Sequence, residues 1–490
     1  MLRNHPLPQT GAAVVCVGVL KPALQFLRTN WIRFLVISAA IIIPCFWHSH
    51  IEAGDLGSHV YNAWLVQLID HHQVSGLWVA RQWNNVLFDI LLSALGTVLP
   101  LQIAARIIVA LSVLLFFWSA FAFVAAASGR PPWTLLPLLA MVCYGWTFNM
   151  GFCNYYLAVA LSFLALAVAW RGSGLELGAV LGLAGLALLA HPLGLVWLGG
   201  ACLYILVAER TPQRYQIVTF GLAVVSLFVI HRYLWSHFEV VSRKHPFYFY
   251  NGMDQLVLFG PVYLILAIVT IAILLVAFLK DVLDRQQNHN LRSLWSVAMQ
   301  LYILLFAAVV LLPDSIKLPQ YPVPVSLLSS RLTSVSAVLV CCLAGALYPR
   351  NWHILALGAV SLVFFSFFFI DTARVDRLEE QAEQLIQTLP PGQRVIVTVP
   401  SENKSRLTIE HVVDSACINH CFTYSNYEAS SGQFRVRALP GNRVVTSDQS
   451  APQKMYAGIY EPQPWELPIY QIYLCSDSRL CIRQLTATGG

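Results

Sequence analysis

The sequence predicts a mainly α polytopic membrane protein with about 11 transmembrane helices and a small C-terminal α+β extracytoplasmic domain. Three observations lead there. The 490 residues are 57% hydrophobic and 11% charged, against roughly 25% charged in a soluble domain. Apolar runs long enough to span a bilayer recur as far as residue 370, and from Asp371 the composition turns to that of a folded soluble unit. The net charge of +6 sits largely in the loops between apolar runs, so it reads as membrane orientation and not as a nucleic-acid surface.

Residues 1–30 carry Arg3, Lys21 and Arg28 around the apolar patch Gly11–Leu20 and have no A-x-A-like cleavage site. They read as a cytosolic lead-in. The membrane domain follows over 31–370. Its spans are expected at Trp31–Trp47, Leu101–Ala127, Trp133–Met150, Phe152–Trp170, Leu175–Ala190, Pro192–Val207, Tyr215–Trp235, Asp254–Leu279, Leu294–Leu312, Leu332–Leu347 and Trp352–Ile370. Each is an apolar stretch bounded by polar, Pro or Gly residues. In the first loop, 48–100, two helices are expected along the membrane surface, Leu56–Asp70 and Asn85–Leu99. Tyr61, Trp64, Leu65, Leu68 and Ile69 make a helical stripe in the first. Pro100 separates the second from the next span.

Orientation follows from Lys and Arg. Arg3, Lys21, Arg28 and Arg33 precede the first span, and Arg130, Arg171, Arg210 with Arg214, Lys280 with Arg285 and Arg292, and Arg350 occupy every second loop thereafter. This places the N-terminus in the cytosol, with the first loop and residues 371–490 outside. Arg81, Arg232, Arg243, Lys244, Lys317 and Arg331 fall on the outer side, against the rule. They are either ordinary loop charges or holders of an anion.

The first loop concentrates what the chain otherwise avoids: Glu52, Asp55, Asp70, Asp89, Arg81, and histidines 48, 50, 59, 71 and 72. Ionisable groups at a membrane edge are costly unless solvated or paired, so their clustering marks a candidate site. Asp55 and His59 are i and i+4, a spacing at which the ring can orient or relay from the carboxylate. The alternative for Asp55 is a helix N-cap ahead of Gly57 and Ser58. Asp89 is expected to face water or cap its helix. Asp55 with His59 is a conceivable divalent-metal pair, but two ligands are too few for a metal site.

Other segments bear on the same face. Met150–Tyr156 offers Asn154, Tyr155 and Tyr156 either to a sugar pocket or to an interfacial aromatic belt. His191, before Pro192, marks the tip of a hairpin and is either a cap or a pocket residue. Ser236–Met253 sets Arg243, Lys244 and His245 before four aromatics, which suits a segment dipping among lipid headgroups or a plain membrane anchor. Pro313–Arg331 has four prolines and cannot be a regular span. Its Arg331 can clamp a phosphate through two oxygens or pair with Asp314.

Beyond Asp371 a charged helix, a Pro-Pro-Gly turn and a short strand open a compact unit. Cys417, Cys421, Cys475 and Cys481 fit two disulfides better than a zinc site, since C-x3-C and C-x5-C are not the common knuckle spacings. The other seven cysteines lie in apolar spans and read as packing.

The motif Glu52-Ala-Gly-Asp55-Leu-Gly-Ser-His59 and the Pro-rich loop ending at Arg331 resemble those of the GT-C class of polyprenol-phosphate-sugar glycosyltransferases. Within it the chain is most similar to the bacterial branch of protein mannosyltransferases and aminoarabinose transferases. The resemblance covers 31–370. The familiar family pattern is Asp-Glu, whereas Leu56 follows Asp55 here. The resemblance implies an inverting transfer from a polyprenyl-phosphate-linked sugar to a lipid, glycan or protein acceptor at the outer face of a bacterial inner membrane, with the C-terminal domain periplasmic. In it the first-loop acid, Asp55 or else Glu52, serves as base with His59 beside it. Arg331, Arg81, Arg243 and Lys244 hold the donor phosphate, and His191, Asn154 and Tyr155 line the pocket. Two other classes compete: a transporter or flippase of amphiphiles, which places ionisable groups at midspan, and a non-catalytic scaffold on the same fold.

Overall fold

The computed structural model describes residues 12–170, 176–287, 295–319, 323–348, 350–398, 411–476 and 479–486. Arg3, Arg171 and Arg292 of the charge pattern lie outside them. Among the described residues seven helices are long and apolar enough to cross a membrane. They are α1 (Ala12–Ile41), α4 (Leu101–Ser128), α9 (Pro192–Arg210), α10 (Gln216–His237), α12 (Pro261–Gln287), α14 (Leu328–Gly345) and α15 (Asn351–Gln387). Three shorter apolar helices join them, α7 (Cys153–Ala169), α8 (Leu177–Ala190) and α13 (Val297–Leu311). The remaining helices of this region include α2 (Leu56–Asp70), α3 (Leu87–Leu95), α5 (Leu136–Cys143), α6 (Trp146–Asn149) and α11 (Phe247–Tyr250).

α4 and α7 form the hub. Phe116, Phe117 and Phe123 of α4 are fully buried, and Phe116 stacks on Tyr156 of α7 with ring centroids 4.4 Å apart. α10 stands at the rim and buries no residue against protein. Its outward face exposes Ile217, Val218, Leu222, Val225, Phe228 and Val229, and an apolar face of that length needs lipid, so the chain is a multi-pass membrane protein.

Two expected spans are reshaped. Trp133–Met150 is not one helix but α5 and α6, broken at Tyr144–Gly145. A Cβ at Gly145 would lie 2.8 Å from the Gln255 carbonyl, and the Gln255 side chain accepts from Thr147 N at 3.1 Å. A neighbour thus meets the opened backbone, the condition for irregular chain at membrane depth. The span expected from Asp254 starts at Pro261, because Met253–Leu256 is a separate short turn of helix.

The two loop helices are also placed differently from expectation. α2 has the expected bounds, but it does not lie on a lipid surface. Leu56, Ser58 and all of Val60–Val66 are buried, and Tyr61 and Trp64 of the stripe face the C-terminal unit. Trp64 stacks on Phe422 at 5.8 Å, and Tyr61 Oη accepts from Thr423 N at 2.9 Å. α3 is shorter than expected and does carry exposed Ile90 and Leu91.

Eight short strands are present among the described residues. β1 (Leu77–Val79) pairs antiparallel with β6 (Val436–Ala438), tying the first loop to the C-terminal unit. β2 (Glu239–Val241) pairs with β3 (Ser315–Lys317). The C-terminal sheet has the order β5-β4-β7-β8, from β4 (Arg394–Thr398), β5 (Phe422–Thr423), β7 (Ile469–Ser476) and β8 (Arg479–Gln484). β4 is parallel to both neighbours, and its Val395, Ile396 and Val397 are buried, as a covered central strand requires. The four cysteines of this unit form two disulfides, Cys417–Cys421 and Cys475–Cys481.

α15 joins the two parts without a break at residue 371. Its 37 residues extend about 55 Å at the helical rise, well beyond a hydrocarbon core of about 30 Å. Its C-terminal half projects to the side carrying the first loop and the sheet, called here the head face. There His50 Nδ1 meets Asp376 at 2.8 Å and Nε2 meets Glu383 at 3.1 Å. Burial works against the charged ring, but Glu383, Glu379 and Asp376 outweigh it and raise its pKa to about 9.

A pH dependence follows. A histidine whose pKa is raised on folding stabilises fully below its unfolded value, and that contribution fades as pH rises through the folded one. His50→Gln is therefore expected to lower the thermal midpoint in lipid nanodiscs at pH 6. The gap to the parent protein is expected to close as pH passes about 9. A gap that stays constant across this range would count against the pairing.

Candidate functional site at the head face

The site grows from the junction of the first loop, the turn before α7, the start of α14 and the C-terminal unit. Asp55 stands at the N-cap position of α2, yet its side chain makes no cap hydrogen bond. Its backbone is wedged instead: Asp55 N donates to Met150 O at 3.1 Å. A Cβ on Gly151 would overlap Asp55 N and Ala53 O, and Gly151 has φ +71°. Gly151→Ala is expected to cost about 1–3 kcal/mol from backbone conformation alone and to shift Asp55. Gly178→Ala, with nothing within 4 Å of its Cβ, is the control. Equal thermal midpoints for the two variants would refute this.

Asp55 Oδ1 lies 3.4 Å from His411 Nε2, and His411 Nδ1 lies 2.8 Å from Asp414 Oδ2. His411 directly precedes the helix Val412–Cys417 of the C-terminal unit. Gly57 permits the approach, since a Cβ there would sit 2.6 Å from the His411 carbonyl. The Asp55 side chain is 25% exposed, while that of His411 is 5% exposed.

Arg331 lies in the first turns of α14. Its guanidinium carbon sits 4.4 Å over the Phe152 ring, and Nη1 donates to Ser326 O at 3.3 Å. Its Nε is buried without a hydrogen-bond partner among the described residues. The Asp55 and Arg331 charges act on one another, and the two residues flank the same turn, 150–152. Tyr155 donates its hydroxyl to Arg331 O at 2.7 Å and meets the His191 ring at 5.3 Å. His191 caps α9, with Nδ1 accepting from Leu193 N at 3.1 Å, and lies within reach of the Arg331 charge.

A second polar chain runs beside Asp55. His59 Nδ1 meets Asp89 Oδ1 at 2.7 Å, and Asn154 Nδ2 donates to Asp89 Oδ2 at 2.8 Å. The expected Asp55–His59 relay is therefore replaced by two separate pairs, and Asp89 is neither solvent-facing nor a cap. Burial opposes charge on His59, but Asp89 more than offsets it and the pKa rises to about 9. Asn154 Oδ1 accepts from Phe88 N at 2.8 Å, so Asn154 is spent bracing α3 and Asp89, not lining a pocket. Glu428, from the C-terminal unit, accepts from Ser58 Oγ at 3.0 Å. Burial raises its carboxyl to about 7, against the pull of His59.

The remaining residues marked in the sequence sit elsewhere. Glu52 is 5% exposed, with Oε1 unpartnered among the described residues. Burial, then Glu379 and Asp376, raise its carboxyl well above the usual range. It belongs with the α15 carboxylates rather than with the partners of Asp55. Asp314 pairs with Arg243 at 3.3 Å, not with Arg331, and accepts from Ser329 Oγ at 2.9 Å. Arg243 thus bridges to the first turn of α14 with its own side chain 63% exposed. Arg81 and Lys244 are exposed. With Asp55 and His59 turned to different partners, the pair considered for a divalent ion does not form. Among the described residues no group of three His, Cys, Asp or Glu is arranged to hold a metal ion.

His411, Asp414 and Glu428 were not singled out in the sequence. They lie far along the chain from Asp55, in a soluble-looking unit with no local signature.

The fold has a solved counterpart. Over 91% of this chain and 93% of the other, it matches the crystal structure of ArnT from Cupriavidus metallidurans in the apo state, with a TM-score of 0.50 and 12% sequence identity. No family model matches the chain, and no curated protein does so by sequence. At that identity the likeness establishes the fold.

Proposed function

We propose that this chain is a glycosyltransferase that moves a sugar from a polyprenyl-phosphate donor to an acceptor hydroxyl. The head face is then periplasmic, in a bacterial inner membrane. The observation that carries this reading is the placing of Asp55 and Arg331 on either side of one turn, each with capacity left for a ligand. The free oxygen of Asp55 takes the acceptor proton as the acceptor oxygen attacks the sugar carbon. The sugar–phosphate bond breaks with its electron pair leaving on phosphate, where Arg331 meets the growing charge. Arg243, close to the start of α14, is a second cation for the donor. The fold of ArnT supports the class of reaction, while the nature of the sugar and acceptor rests on assay.

The test uses the purified chain in nanodiscs with a panel of polyprenyl-phosphate-linked hexoses and pentoses. Release of polyprenyl phosphate with loss of the linked sugar is expected. Movement of intact donor between leaflets of proteoliposomes without release would make it a flippase. Neither release nor movement across the panel would favour a scaffold.

A further inference from the structure

His411 faces two carboxylates at once, and this fixes what the ring must be. An ionised carboxylate only accepts hydrogen bonds, and a neutral imidazole has one N–H to give. Nδ1 is 2.8 Å from Asp414 and Nε2 is 3.4 Å from Asp55. A hydrogen bond to Asp414 and an ion-pair contact with Asp55 together favour two N–H groups and hence a positive ring. Burial opposes that charge, but the hydrogen bonds and charges of Asp414 and Asp55 outweigh it and raise the pKa well above the ordinary value. Among the described residues the other groups facing the ring are Tyr427 and Tyr456, with centroids at 5.5 and 6.4 Å. Asp414 is 2% exposed, so the ring is braced from behind.

Nothing on α2 holds the Asp55 side chain, because its carboxylate makes no cap bond. Its orientation is set from across the seam. Resting on the reading of Asp55 as the base, we propose that His411, charged and braced by Asp414, is the positioning residue of the catalytic carboxylate. It pins Oδ1 in the ionised form and leaves Oδ2 for the acceptor hydroxyl. The C-terminal unit is thereby a working part of the active centre. The proton balance is simple: the acceptor proton goes to Asp55 Oδ2, His411 keeps both of its own, and the quarter-exposed Asp55 returns the proton to water after the products leave.

Two measurements test this. In nanodiscs, ¹⁵N-histidine spectra of the parent protein, with His411 assigned by its loss in His411→Gln, are expected to show both ring nitrogens protonated at pH 7.5. A neutral ring in the parent protein overturns the proposal whether or not any variant folds. In the donor-turnover assay, His411→Gln is expected to lower kcat about 100-fold with the donor KM within about twofold. It is also expected to move the acid limb of the kcat profile to higher pH, since losing a nearby cation raises a carboxylate pKa. A merely structural role leaves that limb in place. If Asp55→Asn abolishes turnover while His411→Gln changes neither kcat nor the acid limb, the positioning role falls and the base stands. If Asp55→Asn turns over normally, the underlying reading itself fails.

Discussion

Asp55→Asn is expected to reduce donor turnover by about 10²–10⁴-fold, the range for loss of a positioned acid–base group. The substitution keeps shape and hydrogen-bonding capacity, so the wedge against Met150 and Gly151 stays intact. It removes the charge that faces His411 and, on the proposed reading, the oxygen that takes the acceptor proton. Because Asp55 does not cap α2 with its side chain, helix stability is expected to change little. The thermal midpoint of Asp55→Asn should therefore stay close to that of the parent protein while kcat collapses. A variant that unfolds in parallel with its loss of activity would mean that the carboxylate is structural. Full activity would remove it from the chemistry altogether.

Arg331→Ala is expected to be nearly as costly, lowering kcat by about 10²–10³-fold, as for removal of a donor that meets transition-state charge. The guanidinium is already oriented by Phe152 and Ser326, and its Nε has no partner among the described residues. Lysine at this position keeps the charge but not the planar fork or the stacking. Arg331→Lys is thus expected to recover only part of the loss, with a higher donor KM. Activity of the lysine variant equal to that of the parent would reduce Arg331 to a point charge. Unchanged activity of Arg331→Ala would remove it from the donor site.

The membrane part was legible because a span is written locally. Each apolar run carries its own length, and α4, α9 and α14 follow closely where the runs were read. Even α2 took the expected bounds. Its surroundings were misjudged, since an apolar stripe demands an apolar partner without saying whether that partner is lipid or protein. Tyr61 and Trp64 found theirs in Thr423 and Phe422. The site was half legible for a related reason. Asp55 and Arg331 stand out as charges where a membrane chain avoids them. The partners across the seam do not stand out: Asp55 meets His411, Ser58 meets Glu428 370 positions away, and Asn62 meets Asn426 at a separation of 364. The i,i+4 spacing of Asp55 and His59 was sound helix geometry, but Asp89, 30 positions from His59, offered the ring a closer oxygen.

The pairing of β1 with β6 has a bearing on how the protein comes into being. A chain is made from its N-terminus, and its parts fold as they emerge. Asp55 is therefore laid down early, and every span from α4 to α15 is threaded before Val436–Ala438 exists to pair with Leu77–Val79. Throughout that interval the first loop lacks its lid and the carboxylate lacks its imidazole. On the reading of Asp55 proposed above, a stalled or clipped chain would carry the acid without the imidazole that faces it.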